Sequence, residues 1–137
     1  MKKDIVVDTT VIRLYGVASD PIFRDFFSWL FKKGVLACSQ MLLTEYGRTR
    51  SNTVASLIDH LVIQGRFRKY DRQKISAVND RHFTYTCNHA DRCHVQLVMC
   101  TYRRFCLSQD GDLVNDVNRF PRFKASAATR PDHLNYK

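Results

Sequence analysis

Four carboxylates carry the chemistry that this sequence offers: Asp8, Glu45, Asp91 and Asp110. Each stands at or near the edge of an apolar segment, where an unpaired charge is costly. Glu45 is the only glutamate in the chain, and it lies one turn from Met41 and Leu42 on a largely apolar stretch. A plain surface role is therefore hard to assign to it. The other three have structural alternatives. Asp8 can cap the turn after a strand, Asp91 can favour a helix N-terminus through the helix dipole, and Asp110 with Asp112 can serve a turn around Gly111. Gathered in one pocket of a basic protein, such acids suit divalent metal ions and a phosphate-backbone substrate.

The rest of the composition agrees with that chemistry. The chain has 137 residues, 22 Lys and Arg against 13 Asp and Glu, and a net charge of +9. Setting the four carboxylates aside leaves nine acids to offset the 22 basic groups, so much of the remaining surface is expected to be positive. Nucleic acid is the natural partner of such a surface, with a solvated basic face or a dock for an acidic protein as the plainer readings. Arg48 and Arg50 follow Glu45, and Arg66, Arg68, Lys69, Arg72 and Lys74 form a second basic group. Arg119, Arg122, Lys124 and Arg130 form a third. Phe67, Tyr70, Phe120 and Phe123 are interleaved with them; such rings can stack on unpaired bases, although core packing is the favoured reading for Phe67 and Tyr70.

Hydrophobic content of 45% and charged content of 26% read as a soluble globular chain, expected to form one domain over 1–137 with a basic tail from about 120. Apolar runs are too short to span a membrane, and the start carries no secretory signal pattern, so a cytoplasmic location is expected. The five cysteines fit no small disulfide scaffold and are read as reduced thiols.

These residues need a frame. Asp4 to Val11 (DIVVDTTV) reads as a β-branched run typical of a buried strand, with the first acid, Asp8, closing its apolar part. Asp20-Pro21 starts a helix that runs through Phe23, Phe26, Phe27, Trp29 and Leu30 to a stop at Gly34. Val35 to Cys38 is a second strand, and Ser39 caps a helix bearing Glu45 and ending near Gly47. Thr53 to Gln64 repeats apolar residues at helical spacing. Phe67 to Tyr70 is a candidate third strand, Asp71 caps a polar helix, and 81–89 reads as a loop. Asp91 opens an apolar helix carrying Val95, Val98 and Tyr102. Arg104 to Leu107 is a strand, Leu113 to Arg119 a helix, and a last short strand fits beyond Phe120. Strands alternating with helices predict a three-layer α/β/α sandwich with a mostly parallel central sheet. In such a sheet, sites form beyond the carboxyl ends of the strands, where Asp8 and Asp110 both fall.

The ordered set resembles the PIN-domain nuclease family over nearly the whole chain. The matching residues are Asp8-Thr9-Thr10 after the first strand, Glu45 in a following helix, Asp91 opening a late helix, and Ser108-Gln109-Asp110-Gly111-Asp112 after a late strand. The resemblance implies a ribonuclease that holds Mg²⁺ or Mn²⁺ with three or four such acids. It also implies RNA as substrate and, for small members, a toxin role beside an acidic antitoxin, or a part in RNA processing or defence. On this reading Asp8, Asp91 and Asp110 are the first choice as ligands, and Glu45 is a ligand or orients the attacking water. Asp112 binds a second ion or stands behind the ligands. Thr10 and Ser108 hold a ligand carboxylate or touch the scissile phosphate, with turn hydroxyls as the plainer reading. Arg48, Arg50, Arg68 and Lys69 are the candidate RNA contacts.

Two other classes compete. One is a PIN-like module that binds RNA or protein without cutting. The other is a zinc-stabilised interaction domain, suggested by Cys87, His89, Cys93 and His94, whose spacing matches no common structural-zinc pattern. Phe- and Leu-rich faces of the first two helices offer a homodimer or partner surface, or simply core packing.

Overall fold

The centre of the fold is set by β1 (Asp4–Val7), whose four residues are all buried. A strand with apolar side chains on both faces must be covered on both faces, and it pairs in parallel with β2 (Val35–Cys38) on one side and β4 (Phe105–Leu107) on the other. The computed structural model describes residues 2–137. In it β3 (Phe67–Lys69) and β5 (Ser126–Ala128) complete a five-stranded sheet of order β3-β2-β1-β4-β5, parallel throughout. The predicted three-layer α/β/α architecture with a parallel sheet is the one the chain adopts.

Helices fill the crossovers. α1 (Thr9–Ile12) and α2 (Pro21–Lys32) link β1 to β2, and α3 (Gln40–Arg48) and α4 (Asn52–Ile63) link β2 to β3. α5 (Arg72–Ala77) and α6 (Arg92–Cys100) carry the chain back across the sheet to β4, and α7 (Gly111–Arg119) joins β4 to β5. Parallel crossovers are right-handed, so a reversal in the direction of strand addition moves the helices to the other face. The first four pack among themselves, and α5, α6 and α7 pack in series. Among the described residues no helix is long and apolar enough to cross a membrane.

Local chemistry accounts for the helix starts. Asp20 accepts a hydrogen bond from the Ile22 amide with Pro21 in the first turn, Ser39 accepts from Leu42, Ser51 from Val54 and Asp71 from Gln73. Two expectations need correction. The first strand stops at Val7, not Val11: the Asp8 carbonyl accepts from the Val11 and Ile12 amides, and that turn folds the β-branched run after Asp8 into α1. Tyr102 lies outside its predicted helix because α6 ends at Cys100, after which the chain turns to place the Tyr102 and Arg103 amides on the Asp4 carboxylate, at 2.7 and 3.0 Å. The basic stretch beyond 120 is not a free arm. It contributes β5, and Tyr136 meets Phe26 and Trp29 edge-on, each with centroids 5.0 Å apart.

The reversal of strand order falls between β1 and β4. Adjacent parallel strands whose following segments leave in opposite directions open a crevice at their carboxyl ends. The Asp8 amide donates to the Leu107 carbonyl at 2.9 Å, so the residues after both strands share one level at that crevice.

Candidate functional site

Four elements deliver acids to the crevice. Asp8 follows β1 and is buried; Asp110 follows β4 and begins α7. Glu45 comes from the middle of α3, which Tyr46 pins to the sheet by donating its hydroxyl to the Val7 carbonyl. Asp91 ends a single 3-10 turn (His89–Asp91) directly before α6. The cap there is the Asn88 side chain, which accepts from the Asp91 amide at 3.1 Å; the Asp91 carboxylate makes no cap bond, and its position at the start of α6 keeps the helix-dipole reading. Asp110 does cap α7, through Oδ1 to the Asp112 and Leu113 amides. Its structural reading holds alongside its place in the cluster.

Hydroxyls fix the first acid. Ser108 donates to Asp8 Oδ2 at 2.7 Å and Thr10 to the same oxygen at 2.9 Å. The Asp110 amide donates to Ser108 Oγ at 3.0 Å, tying the loop after β4 to the same node. Both hydroxyls thus donate to the Asp8 carboxylate and also accept from an amide of the loop after β4, Thr10 from Gln109 and Ser108 from Asp110. Glu45 is held at both oxygens, Oε1 by the Thr9 hydroxyl at 3.2 Å and Oε2 by His94 Nε2 at 2.9 Å. Asp91 Oδ1 lies 3.9 Å from the same His94 nitrogen. One oxygen each from Asp8 and Glu45 and a ring nitrogen of His94 fall within 4.8 Å of one another, the separation that ligands of one ion would have.

Electrostatics shows how crowded the charge is. Burial, and then the charges of Asp8, Glu45 and Asp110, hold the Asp91 carboxyl above its usual range despite the attraction of His94. Burial also works against charge on Glu45, but its bonds to His94 and Thr9 and the nearby Arg48 bring it below the usual range. Burial opposes charge on His94 as well; its contacts with Cys93 and Glu45 outweigh that and push its pKa up to about 10. The His94 ring therefore stands against Glu45 and Asp91, at 2.9 and 3.9 Å, with an Asp8 oxygen within 4.8 Å. His94 is only 1% exposed, so it positions Glu45 and does not meet a substrate.

The sign of the resulting pH dependence is fixed. A raised histidine stabilises the fold fully below its unfolded value and loses that contribution as pH rises through the folded value; a lowered glutamate contributes fully above its unfolded value. The pair is at full strength between roughly pH 4.3 and 6.5 and fades toward about 10. In chelator, the difference in urea midpoint between the wild type and His94→Gln is expected to shrink steadily from pH 6.5 to 10. A constant difference would show that the pair is not ionised.

Other candidates lie elsewhere. Asp112 is exposed in the first turn of α7, and among the described residues its carboxylate has no hydrogen-bond partner. Arg48 is close enough to act on Glu45, whereas Arg50, at φ +53°, lines a cleft between α3 and α4. Arg68 and Lys69 are exposed on the edge strand β3. Cys87, His89, Cys93 and His94 do not form a metal-ligand group among the described residues, because His94 turns to Glu45. Thr9 and His94 were not singled out as partners of the acids by sequence. The signal for His94 was its position three residues after Asp91 on an apolar helix, masked by its neighbour Cys93.

Asp4 and Asp116 give a useful contrast. Both are fully buried, and both are satisfied within the protein: Asp4 by two amides and Arg103, Asp116 by the Thr86 and Cys87 amides and the Thr86 hydroxyl. The four acids at the crevice have less cationic compensation.

No family model matches the chain, and no curated protein does. A solved structure of VapBC2 from Rickettsia felis, bound to a DNA fragment from its promoter, aligns with 91% of this chain and 98% of that one, at 11% identity and a TM-score of 0.49. No residue role follows from a match at that identity.

Proposed function

We propose that this chain is a divalent-metal-dependent ribonuclease of the PIN type, cutting RNA phosphodiester bonds by hydrolysis. The observation that carries the reading is the grouping of Asp8, Glu45 and the buried His94 within 4.8 Å at the β1–β4 crevice, with Asp91 and Asp110 near enough for their charges to act on one another, on a chain of net charge +9. The donor set fits Mg²⁺ or Mn²⁺: the acids offer hard oxygens, and burial, with the charges of Asp8, Glu45 and Asp110, holds the Asp91 carboxyl above its usual range. Asp8, Asp91 and Asp110 would hold the ion. Bound there, it would neutralise charge on the attacking and departing oxygens and acidify a water.

The chain's own residues do the rest. Ser108 and Thr10 occupy Asp8 Oδ2, which leaves Oδ1 without a protein partner among the described residues and free to serve as a ligand. Thr9 and His94 hold Glu45 in one orientation, from which it can align a water. Arg48, on the same helix as Glu45, is placed to hold a phosphate beside the acids. The choice of RNA rests on the family resemblance, as does the finer reading of a toxin countered by an acidic protein partner.

The test is cleavage of single-stranded RNA by the purified chain with Mg²⁺, Mn²⁺ or chelator, with single-stranded DNA in parallel. Metal-dependent cutting of RNA is expected. Independently, Mn²⁺ at a hundred times its dissociation constant should stabilise the fold by about 2.7 kcal/mol, read as a rise in melting temperature. Strong RNA binding that needs neither metal nor the acids would instead support the non-cutting module.

A further inference from the structure

Beside the acids lies a cavity of about 490 Å³ that the proposed hydrolysis does not use. It falls within the range of small-ligand pockets, roughly 300–1,000 Å³. Its walls come from α3, α5 and α6, and from Tyr70 just after β3. Met41, Ile75 and Cys93 line it with apolar surface, and the Met41 and Cys93 sulfurs meet at 3.0 Å, joining α3 to α6 along one wall. Arg68 lies over the Tyr70 ring, 5.0 Å from its centroid, and fixes the orientation of that aromatic wall. Gln96 and Ser76 add uncharged polar groups, and Arg48 and Arg72 add two guanidinium groups.

We propose that this cavity receives one unpaired base of the nucleic-acid strand whose phosphate lies at the acids, and so gives the enzyme its base preference. An aromatic ring in an apolar slot is what a base stacks on, neutral polar groups can read its edge, and guanidinium groups take the flanking phosphates. Continuity selects this occupant: Thr44 and Arg48, which line the cavity, share one face of α3 with Glu45 between them in sequence, and Cys93, which lines it too, contacts the His94 ring that holds Glu45. A base seated here therefore belongs to a strand passing the carboxylates. The inference rests on the nucleic-acid part of the reading above, but not on cutting.

The test is made in chelator, where no metal-dependent cutting occurs. Two labelled RNA strands of equal length are compared, one with bases and one with a single abasic position placed in turn along it. The complete strand is expected to bind roughly five- to a hundredfold more tightly than one abasic position, the effect of losing one stacked base. Thr44→Trp, at an exposed position of α3, fills the cavity and is expected to abolish that difference. Ser76→Trp does the same from α5, should the first variant fail to fold. Arg72→Ala is expected to weaken all strands alike. Equal affinity at every abasic position, a difference that survives both filled cavities, or no binding of any strand overturns the proposal. The first of these is also the result if an apolar side chain of a protein partner is the true occupant. Cleavage with metal is scored separately, so a base-reading protein that does not cut and a nuclease without a base pocket give different results.

Discussion

Asp8→Asn is expected to lower metal-dependent RNA cleavage by roughly a thousandfold or more, since an ion at a phosphoryl centre supplies several kcal/mol and each 1.36 kcal/mol is a factor of ten. The fold should survive. Asparagine keeps an oxygen that can accept from Ser108 and Thr10, which both bond a single oxygen of Asp8. It also removes one negative charge from beside Asp91, whose carboxyl is held above its usual range by burial and by the charges of Asp8, Glu45 and Asp110. In chelator the variant should therefore melt at the same temperature as the wild type or higher, the usual cost of a site built for function over stability. Mn²⁺ should no longer raise its melting temperature. If the chain acts as a toxin, growth arrest on expression should vanish with the same substitution. Cleavage retained within tenfold of wild type would remove Asp8 from the proposed machinery.

The largest loss of stability is expected at the opposite end of the same strand. Asp4 is fully buried, and its carboxylate accepts from the Tyr102 and Arg103 amides, with the Arg103 guanidinium 3.8 Å away. Asp4→Ala leaves two amides without their acceptor and takes away the counter-charge of Arg103, which keeps its bonds to the Asp4 and Tyr136 carbonyls. Breaking a buried pair from one side costs about 3–5 kcal/mol, against roughly 5–15 kcal/mol for a whole domain. A urea titration should show that loss as a lower midpoint with an unchanged slope. Asp4→Asn, which keeps an acceptor, should lose less. A change under about 1 kcal/mol for Asp4→Ala would show that the amides find water instead.

Much of this frame could be read from residue order. Asp20-Pro21, Ser39 and Asp71 are local helix-start signals, and each acts through its own side chain on an amide two or three residues on. Asp8 and Asp110 were expected at one crevice because a parallel sheet puts strand ends together, a rule that needs no side-chain detail. Glu45 stood out because a lone acid on an apolar helix asks for a partner. What could not be read depends on contacts made across the whole chain. Asp4 looked like the polar start of a strand; its partners are 98 and 99 residues away. Asp116, on α7, takes its partners from a loop 29 and 30 residues earlier. His94 was grouped with neighbouring cysteines by proximity in sequence, whereas in space its ring faces α3. The end of the first strand was misplaced because β-branched residues favour strands only while a neighbour pairs with them. After Asp8 the chain turns away from β2 and β4.

The neighbouring positions of β1 and β4 also set the order in which the site can be completed. Asp8 is made early, but Ser108 and Asp110 reach it only after β4 has docked beside β1, across a sequence gap of 100 residues for the Ser108–Asp8 bond. A chain still being translated and interrupted before Ser108 contains Asp8, Thr10, Glu45, Asp91 and His94, but neither the second of the two hydroxyls that hold Asp8 nor Asp110. Under the proposed activity, a nascent chain on the ribosome therefore has no completed acid site until Ser108 and Asp110 have been synthesised.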